Sequence, residues 1–264
     1  MNEPNVMVYL MTGFLDSGKT QFLTFTLKQD YFQIDGKTLL ILCEEGEEEY
    51  DPMEMLRYGV VIERVEDQED LTEEWLEEMN KKHEPERVVV EYNGMWKVSD
   101  FENLKLPDGW EIEQKLTTVD ASTFQMYLTN LKPLFVEMVR DAELVLFNRC
   151  EDIKPLAGYR RSVKVVSPQA EVIFEDENGE VENIFEDDVP YDLKAPVIEI
   201  AKEDYGIWYV DMMENPDRYK GKVVEFTAKA VKPRTFPSKV FLPGRMAMTC
   251  GAEATRFLGY GARA

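Results

Sequence analysis

The stretch that decides the fold is residues 13–20, GFLDSGKT, which directly follows the apolar run VMVYLM at residues 6–11. It fits the pattern G-x-x-x-x-G-K-[ST] of a phosphate-binding loop, whose backbone N–H groups surround phosphate oxygens. In such a loop Lys19 neutralises the β- and γ-phosphates, and the Thr20 hydroxyl is a ligand of Mg²⁺. The phosphate contacts predicted from this stretch are Gly13, Asp16, Ser17, Gly18, Lys19, Thr20 and Gln21.

The phosphate loop needs a strand before it and a helix after it. Residues 19–29 predict that helix, and its dipole would point at the phosphates. Its apolar spacing places Phe22 and Phe25 on the buried side, with Leu23 or Thr26 as further candidates.

Composition excludes several other classes of protein. The 264 residues include 52 acidic and 30 basic side chains, a net charge of −22, so a nucleic-acid backbone would be repelled, and the sequence has no basic patch. No stretch approaches the ~20 apolar residues of a membrane span, and the N-terminus does not resemble a secretion signal. Three cysteines at distant positions do not predict a disulfide framework. We therefore expect a cytoplasmic protein without direct membrane insertion.

Short β-rich runs alternate with helical patterns from residue 5 to about 175, which predicts an α/β fold: a P-loop NTPase three-layer sandwich with a mostly parallel sheet. The predicted strands are 5–12, 38–43, 60–65, 87–91, 116–120, 143–148 and 163–166. The predicted helices are 19–29, 52–57, 72–83, 123–140 and 154–160.

An acidic, turn-rich stretch marks the expected domain boundary. We predict a nucleotide-binding domain over 1–175, an acidic hairpin and linker over 176–198 that turns at Asn178-Gly179, and a small C-terminal domain of one helix and short strands over 199–264. The last domain ends without a terminating element, so we expect the native chain to continue past Ala264.

Three segments together carry a resemblance to a known family. Residues 13–21 differ at Asp16 and Gln21 from the loop GFLGSGKTT. Residues 43–47 (CEEGE) match the two glutamates and the glycine of an N-E-x-G-E segment, and residues 91–94 (EYNG) match an E-x-x-G element. In this combination the chain resembles the CobW/UreG-type P-loop GTPases, the metallochaperone group of the SIMIBI class, from residue 5 to about 175. The resemblance implies GTP as ligand and substrate, with Mg²⁺ as cofactor.

The resemblance also implies roles for the acidic residues. Glu91 at the end of a strand would hold Mg²⁺ directly or through water, and the Gly94 N–H would contact the γ-phosphate. Glu45 is the second acidic candidate, for Mg²⁺ or for the attacking water; the alternative is that it belongs to a solvated charge run at residues 44–51. The predicted catalytic set is thus Lys19, Glu45 and Glu91, and the metal set is Thr20, Glu45 and Glu91.

Base recognition is expected at residues 148–151, where the family's N-K-x-D element is Asn148-Arg149-Cys150-Glu151. Asn148 would contact the purine edge, Arg149 would lie over the base, and Glu151 would accept from the N1 and N2 hydrogens of guanine. Since Glu carries one more methylene than Asp, we expect a weaker guanine preference than usual.

Two features separate this chain from the metallochaperones. The family's Cys-x-Cys-Cys element has no counterpart, because residues 44–91 contain no cysteine, so we do not transfer soft-metal delivery. Residues 205–250 resemble the start of the YcgQ-type, OB-like domain associated with a predicted bacterial permease, although Gly251 follows Cys250 where that family has a second cysteine. This resemblance implies a protein partner, with a membrane permease component as one candidate; the alternative is a subdomain that only packs on the GTPase.

Several functions are consistent with these patterns. The first is a GTP-hydrolysing switch that is slow without its partner. The others are a nucleotide-binding interaction module that does not hydrolyse, and a metal-trafficking GTPase with a non-cysteine metal site. A phosphotransferase is disfavoured, because no motif identifies an acceptor pocket.

Overall fold

The computed structural model describes residues 6–151, 153, 156–181, 189–202, 204–233, 235–237, 239–248 and 255–263. The chain divides into two compact units. The N-terminal unit is Met1–Asp152 with Gln169–Glu180, and the C-terminal unit is Ile153–Pro168 with Val181–Ala264. Residues 153–168 thus group with the C-terminal unit, whereas the sequence-based boundaries assigned them to the first domain; those boundaries stay a prediction.

The N-terminal unit is built on one sheet of eight strands in the order β3-β2-β4-β1-β5-β6-β7-β8. Each neighbouring pair is parallel except the last, in which β7 and β8 pair antiparallel across a turn at Asn178. The strands are β1 (Val6–Thr12), β2 (Thr38–Leu42), β3 (Val60–Arg64), β4 (Arg87–Glu91), β5 (Trp110–Asp120), β6 (Leu144–Asn148), β7 (Glu171–Asp176) and β8 (Gly179–Glu180).

Helices pack on both faces of this sheet because successive residues of a strand point to opposite sides. On one face Met11 and Leu40 cluster with Leu23 and Leu27 of the first helix and Met55 of the second. The helices are α1 (Lys19–Leu27), α2 (Pro52–Arg57), α3 (Glu73–His83), α4 (Val98–Glu102), α5 (Phe124–Asn130) and α6 (Lys132–Val139), with 3₁₀ turns at Asp30–Phe32 and Gln68–Asp70. The predicted α/β class with a mostly parallel sheet is confirmed.

The predicted buried face of α1 is wrong at Phe25, although Phe22 packs against the core and Leu23 is buried as predicted. Phe25 is 62% exposed, whereas Leu23 and Leu27 are buried in line with Lys19. Positions 19, 23 and 27 share one face of a helix. Because α1 begins at the lysine of the phosphate loop, the inward position of Lys19 sets the rotation of the helix. Phe25 therefore turns toward solvent, and Phe22 lies partly buried at the margin of the core.

Two other predicted elements differ from the structure. The helix expected over 123–140 is divided at Leu131, where Pro133 enters the first turn of α6, a position that proline tolerates. The strand expected over 163–166 is wrong, because the helix over Leu156–Lys164 extends into it and buries Val163. The seventh strand is instead Glu171–Asp176, the first arm of the predicted hairpin. Residues 182–188 of that hairpin and linker lie outside the described residues.

The C-terminal unit is rich in short strands. A buried aromatic cluster of Tyr205, Trp208 and Tyr219 surrounds Ile198. The elements are α7 (Leu156–Lys164), β9 (Val197–Ile200), α8 (Tyr205–Glu214), β10 (Val223–Phe226), β11 (Lys229–Val231), β12 (Val240–Met248), β13 (Thr255–Gly259) and β14 (Ala262–Arg263), with a 3₁₀ turn at Pro216–Arg218. Strand β9 pairs parallel with β10, and β12 pairs antiparallel with β11, β13 and β14. Cys250 lies outside the described residues.

Candidate nucleotide site

The phosphate loop joins the end of β1 to the start of α1, and its backbone has the shape that phosphate binding requires. Gly13 and Gly18 have φ angles of 145° and 89°, in the region that favours glycine. A Cβ at Gly13 would lie 2.5 Å from the Ser17 Oγ, and one at Gly18 would lie 2.5 Å from the Asn148 Nδ2. Asp16 also has a positive φ, 58°, which explains structurally why glycine suits this position.

Lys19 is buried beneath the loop. Its Nζ donates to the carbonyl oxygens of Gly13 at 3.0 Å and Phe14 at 2.9 Å. It also forms an ion pair of 2.5 Å with Glu44 Oε2, and the two side chains are only 3% and 9% exposed. The ammonium therefore faces the mouth of the loop with a carboxylate against it.

Two of the three predicted magnesium ligands, Thr20 and Glu91, lie in contact with each other. Thr20 Oγ1 donates to Glu91 Oε1 at 2.8 Å, and the Tyr50 hydroxyl donates to Glu91 Oε2 at 2.5 Å. Burial raises the pKa of Glu91 above its ordinary value, although the hydrogen bonds from Tyr50 and Thr20 oppose that shift. Two hard oxygen ligands beside the phosphate loop suit Mg²⁺, so the residues present fit this ion.

The end of β4 brings Gly94 against the phosphate loop. A Cβ at Gly94 would lie 2.5 Å from the Gly13 carbonyl oxygen and 2.7 Å from the Phe14 Cα, so this contact requires glycine. The Gly94 N–H donates to Glu44 Oε1 at 3.2 Å. Glu45, predicted as the second acidic residue, is exposed and lines a small cavity with Thr20 and Glu91. Its catalytic and metal-binding roles stay predictions.

The base-recognition segment lies beside the same loop. Asn148 Nδ2 donates to the Ser17 carbonyl at 2.8 Å, and its Oδ1 is buried without a hydrogen-bond partner among the described residues. The Arg149 guanidinium donates to the Asp16 carbonyl at 2.8 Å and to Asp120 Oδ2 at 2.6 Å. Glu151 is exposed, and it lines a groove of about 700 Å³ together with Gly18, Gln21, Phe22, Asn148 and Arg149.

Asp120 holds Arg149 from the end of β5. Burial acts to raise the pKa of Asp120, but hydrogen bonds from Ser122 and Arg149, with the Arg149 charge, hold the pKa below its usual value. An ionised Asp120 therefore keeps the arginine at the loop, where the resemblance had implied that Arg149 lies over the base.

Comparisons with known proteins agree with this geometry. Residues 7–174 match the model of the CobW/HypB/UreG nucleotide-binding domain. The chain belongs to this family. The predicted family resemblance is thus confirmed, and the CobW/HypB/UreG proteins are P-loop GTPases. Residues 177–260 match the model of the DUF1980 C-terminal domain, which bears out the separate resemblance of the C-terminal part. A search of curated proteins found no match.

Three solved structures are similar to this chain at low identity. The Zn(II)-bound YjiA GTPase from E. coli is 22% identical, with a TM-score of 0.50. A Zn(II)-bound triple mutant of YjiA GTPase is 21% identical, with a TM-score of 0.49. Each of these two matches covers 69% of this chain and 60% of the YjiA chain. The hydrogenase maturation factor HypB from Archaeoglobus fulgidus is 19% identical, with a TM-score of 0.45, over 66% of this chain and 83% of that chain.

Three residues of this CobW-type site were missed from the sequence. Glu44 occupies the first glutamate position of the family's N-E-x-G-E segment, and this match is the sequence signal for it, although the catalytic role was predicted for Glu45. Asp120 ends a predicted strand, where a polar residue at the sheet edge is a weak signal. Tyr50 gave no signal, because an aromatic residue next to a charge run reads as an ordinary core residue.

No group of three or more His, Cys, Asp or Glu side chains in the described part of the chain is arranged to hold a metal ion. No helix within the described ranges has both the length and the apolar character needed to cross a membrane.

Proposed function

We propose that the N-terminal unit binds Mg²⁺ and GTP, hydrolyses GTP slowly by itself, and acts as a switch that a partner protein reads. One observation carries this proposal: the ends of three parallel strands bring together Lys19, the Thr20–Glu91 pair, Gly94 and Asn148 at one phosphate loop. Each supplies a different requirement of a nucleotide, namely charge neutralisation, a metal ligand, a γ-phosphate contact and a base contact.

Mg²⁺ dependence follows from the charge of the phosphate cleft. A cavity of about 280 Å³ is lined by five carboxylates and two cations. The carboxylates belong to Asp16, Glu44, Glu47, Glu48 and Glu91, and the cations to Lys19 and Arg149. A nucleotide adds further negative charge to this space. A dication held by Thr20 and Glu91 would offset the repulsion, so we infer that GTP enters as its Mg²⁺ complex.

Guanine selection is assigned to Glu151. Its carboxylate at the wall of the groove can accept the N1 and N2 hydrogens of guanine, which adenine does not offer at that edge. Asn148, fixed on the loop by its bond to Ser17, would stand beside the purine ring. Arg149 is held by Asp120 and the Asp16 carbonyl, so its contribution is to join the base segment to the loop.

The contact between Arg149 and Asp120 supports slow hydrolysis. Arg149 is the arginine among the residues that line the phosphate cleft, and its guanidinium is engaged by Asp120. A transition state for phosphoryl transfer gains a large rate factor from a free arginine at the γ-phosphate. We therefore propose that a partner, such as the permease component implied by the C-terminal resemblance, accelerates the reaction in the cytoplasm.

Calorimetric titration with GTP and ATP, each with Mg²⁺ and with EDTA, tests binding and base preference. We expect GTP to bind more tightly than ATP and EDTA to weaken both. Phosphate release then tests turnover, and Glu45→Gln tests the predicted catalytic role of Glu45. Equal binding of GTP and ATP would contradict guanine selection, and no binding of either would refute the proposal.

The engaged state of Arg149 also favours a second candidate, a nucleotide-binding module that does not hydrolyse. Binding of Mg²⁺ and GTP without measurable phosphate release over many hours would support this second candidate over the switch.

A further inference from the structure

The carboxylate of Glu44 lies where two phosphate-binding groups meet. Its Oε2 accepts from Lys19 Nζ at 2.5 Å, and its Oε1 accepts from the Gly94 N–H at 3.2 Å. Lys19 is the group that neutralises the β- and γ-phosphates in a phosphate-loop protein, and Gly94 is the candidate γ-phosphate contact. One anionic side chain thus satisfies both donors.

The Lys19 ammonium has no further proton to offer while this contact is made. It carries three N–H donors, of which two serve the Gly13 and Phe14 carbonyls and the third serves Glu44. The two carbonyl contacts lie inside the loop. The Glu44 contact is therefore the one that an incoming phosphate must replace.

The second donor, the N–H of Gly94, has little freedom to move. Its backbone is packed against Gly13 and Phe14 so closely that a Cβ would collide with both. Because Gly94 stays beside the loop, the point between its N–H and the Lys19 ammonium is a defined anion position. Glu44 reaches it from the end of β2, ahead of a run of exposed residues at 45–49.

We propose that Glu44 determines the preference between GDP and GTP by occupying the position of the γ-phosphate. The inference rests on the proposed function and deepens it. In the nucleotide-free state the carboxylate neutralises Lys19 and accepts from the Gly94 N–H; with GDP bound, Lys19 turns to the β-phosphate and Glu44 keeps the Gly94 contact. GTP binds only when Glu44 withdraws, because two anions cannot share this buried point. GDP has no γ-phosphate, so Glu44 can stay at that position, and the free-energy cost of binding GDP is smaller.

The test compares Mg²⁺-dependent affinities for GTP and GDP in the full chain carrying Glu44→Gln, which keeps the shape and removes the charge. Glu49→Gln, an exposed residue of the same acidic run, is the control for one lost charge. If Glu44 occupies the γ-position in about nine molecules of ten, its neutralisation raises the affinity for GTP about tenfold relative to GDP. In the control both affinities change together.

A second readout needs no nucleotide. Hydrogen exchange at the Gly94 amide, followed by NMR, should accelerate in Glu44→Ala because its acceptor is removed, and should not change in Glu49→Ala. Unaltered exchange at Gly94 in Glu44→Ala would overturn the inference.

The two proposals fail in different ways. Tight GTP and GDP binding with the same affinity ratio in Glu44→Gln as in the unmutated chain would overturn the role of Glu44 and leave the proposed function standing. A fall in GTP affinity in Glu44→Gln would also overturn it, since Glu44 would then support GTP. If no variant binds either nucleotide, both proposals are refuted.

Discussion

Removing the Tyr50 hydroxyl should destabilise the nucleotide-free N-terminal unit. Tyr50 is 5% exposed and donates at 2.5 Å to Glu91, which is 4% exposed. Tyr50→Phe keeps the ring and leaves one oxygen of a buried carboxylate without this donor. A hydrogen bond to a charged group contributes about 1.5–3 kcal/mol. Because Glu91 can respond by taking up a proton, we expect a loss near the lower value, about 1.5–2 kcal/mol.

Urea unfolding followed by tryptophan fluorescence measures this loss. Three of the four tryptophans, Trp75, Trp96 and Trp110, lie in the N-terminal unit. With a slope of about 2 kcal/mol per M, the midpoint should fall by roughly 0.8–1 M. Tyr58→Phe is the matched control, since Tyr58 packs against the same apolar cluster. A midpoint for Tyr50→Phe within about 0.2 M of the Tyr58→Phe value would show that the hydroxyl does not support Glu91.

Three further predictions follow from the site. Lys19→Ala should weaken GTP binding by ~2–5 kcal/mol, as for a buried charge left without its partner, and unchanged affinity in calorimetry would contradict the phosphate-loop assignment. Asp16→Gly should strengthen GDP binding by at least about 0.5 kcal/mol in low salt, because it removes a cleft carboxylate, and the gain should shrink in 1 M NaCl. Burial raises the pKa of Cys150 to about 11, so its thiol is almost wholly protonated at pH 8; mass spectrometry should find this buried thiol alkylated only under unfolding conditions, and rapid alkylation of the native protein would contradict its burial.

Much of the site could be predicted because it depends on short local patterns. The phosphate loop, Glu91, Gly94 and Asn148 each lie at or just beyond the end of a buried strand, and parallel strands present their carboxyl ends at one edge of the sheet. The fold class follows from the same alternation of strands and helices. These predictions required no knowledge of which loop residue points where.

The features that the sequence could not resolve share a different cause. Glu44 and Glu45 are adjacent and chemically identical, and only the direction of the chain leaving β2 decides which one meets Lys19. Likewise α1 carries apolar residues on more than one side, so its rotation depends on the position of Lys19 and not on periodicity. In both cases a tertiary contact selects between local alternatives that the sequence presents as equivalent.

The placement of α7 follows the same logic in the C-terminal unit. Its periodicity predicted a helix but could not say what its polar face meets. Within that unit Arg160 pairs with Glu214 of α8 at 2.7 Å, and Lys164 pairs with the same carboxylate at 3.2 Å. In the chain, α7 follows the base-recognition segment and lies between β6 and β7 of the N-terminal sheet. It nevertheless groups with the C-terminal unit, where it forms these ion pairs. Glu214→Gln should alter hydrogen exchange in α7 without nucleotide, because it removes the charge that pairs with Arg160 and Lys164. In the proposed GTP-dependent switch, GTP should also alter exchange in α7, but only when residues 148–151 contact the base. Exchange in α7 that ignores GTP in the unmutated chain, while the phosphate loop becomes protected, would show that nucleotide binding stops at the N-terminal unit.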